Sequence, residues 1–149
     1  MNKNKIGMRI GESVFCIAYL VFGLIAGIIF LLHGSDKRFL LFGIMTLILC
    51  FGDSFHLIPR IIKNIKGESD KIIWWMNLGN LITSITMTIF YILLFYIWVE
   101  LNPTIRFSKI IPISIWITTV LRIIICLLPQ NNWFSGGSFK MSLIRNIIF

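Results

Sequence analysis

Negative charge is scarce in this chain: six Asp and Glu stand against fourteen Lys and Arg in 149 residues, for a formal net charge of +8. Cysteine is scarcer, with three residues and no Cys-x-x-Cys pair, and there are only two histidines. Three widely spaced cysteines do not make a disulfide framework. Zinc takes about three or four protein ligands, and His56 beside Asp53 has no obvious third, so neither a metal nor any other cofactor is expected. Pro/Ser-rich linkers are missing, so residues 1–149 read as one domain. Strict polar–apolar alternation is also missing, which argues against a transmembrane β-barrel. The basic charge comes without any nucleic-acid-binding signature, so DNA and RNA are not expected partners.

What the chain has in quantity is apolar sequence, 57% of its residues, with a mean hydropathy of +0.88. A soluble domain of this size could not bury so much, because its core is limited by surface-to-volume scaling. The excess falls into four stretches, at about residues 13–32, 39–58, 75–98 and 110–128, each near the ~20 residues a helix needs to cross hydrocarbon. The expected fold class is therefore all-α, an integral membrane bundle of four transmembrane helices plus a short C-terminal apolar segment at 141–149. The first stretch is too long for a signal-peptide core and lacks a small-x-small cleavage site, so it is read as a retained span. The last segment is too short to span. It is read as the start of a further helix in a larger, truncated bundle, the alternative being a short interfacial piece. Gly23 and Gly27 form a GxxxG pair suited to close helix contact. Cys16, Cys50 and Cys126 fall within spans as small packing residues.

Charge sets the expected orientation. Lys3, Lys5 and Arg9 precede the first span. The second loop carries Arg60, Lys63, Lys66 and Lys71, and the tail after the fourth span carries Lys140 and Arg145. The first and third loops carry only Lys37, Arg38, Arg106 and Lys109. The positive-inside rule puts both termini and the second loop in the cytoplasm. The expected location is the cell membrane, multi-pass, with the lipid bilayer as partner and anionic headgroups attracted to the cytoplasmic face.

Polar residues inside the spans mark the candidate site. Asp53, His56 and Arg60 share a helix face at i, i+3 and i+7. Pro59 breaks a backbone hydrogen bond there and predicts a kink toward the bundle interior. On the third span, Asn77, Asn80 and Ser84 share a face. Asp53 and Arg122 both sit roughly 10 Å from the inner interface, counted at 1.5 Å per residue from Pro59 and Pro129. Each charge costs about 2.5–3.5 kcal/mol at a helix centre on insertion scales. An Asp53–Arg122 ion pair, oriented by Asn80 and His56, would offset that cost.

The motifs Gly52-Asp53-Ser54-Phe55-His56-Leu57-Ile58-Pro59-Arg60, Leu127-Leu128-Pro129-Gln130-Asn131-Asn132-Trp133 and Ser142-Leu143-Ile144-Arg145-Asn146 resemble those of an uncharacterised family of small bacterial multi-pass membrane proteins. The resemblance implies a membrane location and carries no activity. Three functions follow as expectations. The first is a cytoplasm-facing intramembrane pocket that binds or transports an ion or small polar solute. The second is an accessory subunit whose polar network only fixes helix packing. The third and least supported is an intramembrane enzyme with His56 as acid/base.

Overall fold

The computed structural model describes residues 3–34, 36–106 and 108–148. Four long helices follow one another: α1 (Lys3–Leu32), α2 (Lys37–Lys66), α3 (Asp70–Leu101) and α4 (Ile110–Leu127). A 3-10 turn at Pro129–Asn131 leads to the short α5 (Phe139–Ile147). No strand occurs among the described residues. All four long helices are long and apolar enough to cross a membrane.

Helix ends are set by local chemistry. Asp36 caps α2 by accepting from the Arg38 N–H, and Ser69 caps α3 by accepting from the Ile72 N–H. Gly67, at φ 90°, ends α2 in the left-handed region where a side chain would be strained, and its N–H closes on the Lys63 carbonyl. The second loop is thus only residues 67–69, much shorter than the charged segment from Lys63 to Lys71 suggests. α2 also runs through Pro59 to Lys66, eight residues beyond the expected end at 58. Its last turns carry Arg60, Lys63 and Lys66, good helix formers whose charged ends reach water.

The helices pack in chain order: α1 on α2, α2 on α3, α3 on α4, and α4 on α5. Small residues set the seams. Gly23 and Gly27 of the GxxxG pair face Cys50 and Leu47 of α2, and a Cβ at Gly27 would come within 2.6 Å of the Leu47 side chain. Gly52 packs on Thr86, and Gly79 packs on the Phe55 carbonyl and the His56 Cα. Those last contacts fall where Pro59 leaves the Phe55 carbonyl without its helical donor. Opposite the seams, large apolar side chains point outward, among them Phe15, Phe22, Phe51, Trp116 and Ile117. The three cysteines are buried.

The antiparallel order gives the bundle two ends. The base holds the start of α1, the α2–α3 turn, the 128–138 segment and the start of α5. The top holds the α1–α2 and α3–α4 loops, where Lys37 Nζ bonds Glu100 at 2.8 Å.

Candidate polar site

α2 lies between α1 and α3, and its polar stripe straddles both seams. Asp53 turns to α1, where the Tyr19 hydroxyl donates to its carboxylate at 2.7 Å. Arg60 also turns to α1 and lies 3.6 Å from Glu12. Asn64 completes that lock, donating to Glu12 at 3.0 Å and to Ser13 at 3.3 Å. His56 turns the other way, to α3, with Nδ1 2.9 Å from the Thr83 hydroxyl. Thr83 in turn donates to the Gly52 carbonyl at 3.0 Å. A hydroxyl has one proton to give. With it given to Gly52, the His56 Nδ1–H is the donor to Thr83, and Nε2 is the basic nitrogen.

The expected Asp53–Arg122 pair is not formed. The two residues do stand at similar distances from the base, but α3 lies between α2 and α4. Depth along an axis fixes one coordinate only, and helix order fixes the other. Asp53 therefore meets its cost with Tyr19. Arg122 is buried on α4, within hydrogen-bond reach of the Cys126 thiol one turn on.

Around Arg122 a second polar group assembles from α3, α4 and α5. Asn131 is 1% exposed and spends its amide N–H groups on the end of α4, reaching the Ile125 carbonyl at 2.5 Å and that of Leu128 at 2.9 Å. The last carbonyls of a helix have no partner within it, so Asn131 does for α4 what the backbone cannot. Trp133 adds its indole N–H to the Cys126 carbonyl at 2.9 Å. The Asn131 Oδ1 accepts from Arg145 of α5, whose guanidinium lies 4.2 Å from the centre of the Trp133 ring. Burial lowers the Arg145 pKa, and the nearby Arg122 charge lowers it further. Stacking of Phe134 on Trp74, with centroids 5.5 Å apart, ties the same segment to α3.

These contacts border an open polar cavity of about 450 Å³ at the base, lined by Asn77, Asn80, Asn131, Trp133, Ser142 and Arg145 together with the Gly136–Phe139 turn. That volume is in the range of ligand pockets, roughly 300–1,000 Å³. Of the expected site residues, Asn77 and Asn80 line it. Ser84 does not; its hydroxyl is turned back to the Asn80 carbonyl at 2.8 Å. Asp53, His56 and Arg60 belong to the α1–α2–α3 seams instead. Among the described residues no group of three His, Cys, Asp or Glu side chains is placed to hold a metal ion.

Asn131, Trp133, Ser142 and Arg145 were not expected in the site. Their signal was in the two C-terminal motifs, where Asn, Trp and Arg are unusual within an apolar chain. Thr83 was also missed. It lies four residues after Gly79 in a small-xxx-small pattern, the usual mark of a tight seam between membrane helices.

Searches against known protein families, curated proteins and solved structures return no match to this chain.

Proposed function

We propose that the protein is a multi-pass membrane protein, N-terminus in the cytoplasm, that binds a small polar solute or ion in the α3–α5 cavity at its base. The cavity carries this reading. Polar side chains from separate elements converge on one space, and that space is too large for a single ordered water, which needs only about 10–15 Å³ by the same measure. Its position supports the cytoplasmic assignment, since Arg60, Lys63, Lys66, Lys71 and Lys140 cluster at the same end. Outward apolar faces on all four long helices support insertion, because a soluble monomer rarely exposes patches of that extent.

A second role is favoured for the other polar group. Tyr19–Asp53, His56–Thr83 and Glu12–Arg60 each join two helices directly, and neither Asp53 nor His56 is among the residues that line the α3–α5 cavity. In this reading these contacts act as packing bonds, His56 among them.

Ser142→Cys tests the cavity. In inverted membrane vesicles a charged, water-soluble thiol reagent should label the introduced thiol, while the native cysteines, each under 9% exposed, should react slowly. In right-side-out vesicles labelling should be absent. A thiol inert from both sides would mean that the cavity is not open to water, and the reading would fall.

A further inference from the structure

From this cavity we infer a ligand class: the site takes a phosphate group, held by Arg145 with the side chains of Asn77, Asn80 and Ser142. The inference rests on the cavity being a binding site and goes beyond that reading to its chemistry. No carboxylate lines the cavity among the described residues. Of the acidic residues near the base, Glu12 is engaged by Arg60 and Asn64 and Glu68 by Lys63 at 2.8 Å, and Asp70, exposed in the first turn of α3, does not line the cavity. A cation would therefore meet the Arg145 guanidinium and no carboxylate to neutralise it.

Donors, in contrast, are plentiful and unspent. Arg145 uses Nη1 on Asn131. Its remaining N–H groups have no hydrogen-bond partner among the described residues, and its guanidinium carbon lies over the Trp133 ring, 4.2 Å from the centroid. Nor do the side chains of Asn77, Asn80 and Ser142 have partners among those residues, although all three line the cavity. In a bilayer such groups are costly unless water or a ligand satisfies them. The donors come from two helices on different sides of the space. A carboxylate, with two oxygens in one plane, would engage the guanidinium fork and leave fewer acceptor directions for the amides. A phosphate offers three acceptor oxygens and close to two negative charges, and so uses the fork and the amides together. Arg122, close enough for its charge to act on Arg145, adds to the positive potential.

The same chemistry belongs to a free phosphate compound from the cytosol and to a phospholipid headgroup. Both are tested on purified Phe139→Cys protein in maltoside micelles, which contain no phosphate; Phe139 lines the cavity without being one of the proposed phosphate donors. The readout is the labelling rate of the introduced thiol, with inorganic phosphate in one arm and phosphatidic acid in the other. Slowing by inorganic phosphate assigns the site to a soluble ligand, and slowing by phosphatidic acid alone assigns it to a headgroup. The concentration that gives half protection should rise about tenfold or more when Arg145→Gln is added, as expected for loss of a charged hydrogen bond. If that variant misfolds, Asn80→Ala should raise it by several-fold, since the exposed Asn80 side chain makes no hydrogen bond among the described residues. A thiol that labels freely but is protected by neither probe would overturn the phosphate assignment and leave the cavity reading standing. A thiol that never labels would overturn the cavity itself.

Discussion

A single hydrogen atom decides the closest approach in this bundle. At Gly79 a Cβ would collide with the Phe55 carbonyl and the His56 Cα, which are backbone atoms and cannot swing aside. Alanine gains up to about 1 kcal/mol over glycine in helix propensity, whereas overpacking costs about 1–3 kcal/mol. Because the obstacle is backbone, the clash should win. Gly79→Ala is expected to lower the unfolding free energy in detergent by about 1–2 kcal/mol, read from a denaturant or thermal transition. Gly11→Ala, on a position with nothing within 4 Å of the added methyl, should be neutral or slightly stabilising and serves as the control. Equal losses at both positions would show that the α2–α3 seam is not as close as Gly79 implies.

Among the elements, α5 is tied to the bundle by polar contacts centred on Arg145. It buries no residue fully and meets the bundle through Arg145, Asn131 and Trp133. Asn131 is the hinge of this arrangement because it bonds α4 carbonyls with one end and Arg145 with the other. Asn131→Ala would leave the last carbonyls of α4 and the Arg145 guanidinium unsatisfied together, at about 1–3 kcal/mol for each buried group. Hydrogen exchange should then quicken from residue 129 through α5 while the amides of α1 to α3 keep their protection. Quickening spread evenly over all helices would instead mean that Asn131 supports the whole bundle.

What the sequence made legible differs between elements for physical reasons. Hydrophobic run length located all four long helices, because a span has to exceed the hydrocarbon thickness. It missed their ends by up to ten residues: α1 begins at Lys3 rather than 13, and α2 ends at Lys66 rather than 58. A helix continues into water wherever propensity and a cap allow, and apolar run length is blind to that. The Asn77–Asn80 face was legible from a period of 3.6 residues. The Asp53–Arg122 pair was misjudged because matching depth says nothing about which helices are neighbours. The Asn131–Arg145 contact spans a turn with two positive-φ glycines, Gly136 and Gly137, and the path of such a turn is not encoded in hydropathy at all.

At the scale of the whole molecule, polar groups and basic charge gather at one end. The base carries Arg9, Arg60, Lys63, Lys66, Lys71, Lys140 and Arg145, against Lys37, Arg38, Arg106 and Lys109 at the top. Two of the top charges are partnered by carboxylates, Lys37 by Glu100 and Arg38 by Asp36. Arg60 and Lys63 at the base are partnered as well, by Glu12 and Glu68, but the positive-inside rule counts Lys and Arg in short loops and gives acidic residues little weight, so the count favours the base as the cytoplasmic end. The loops test it directly. Ser69→Cys in the α2–α3 turn should be shielded from an impermeant thiol reagent added to intact cells and react once the membrane is opened. Thr104→Cys in the α3–α4 loop should react without opening. The reverse pattern would turn the bundle over and place the Arg145 cavity on the outer face, where it would meet extracellular solutes instead of cytosolic ones. Reaction of both thiols in intact cells would mean that α3 does not cross the bilayer, and the four-span reading would fail with it.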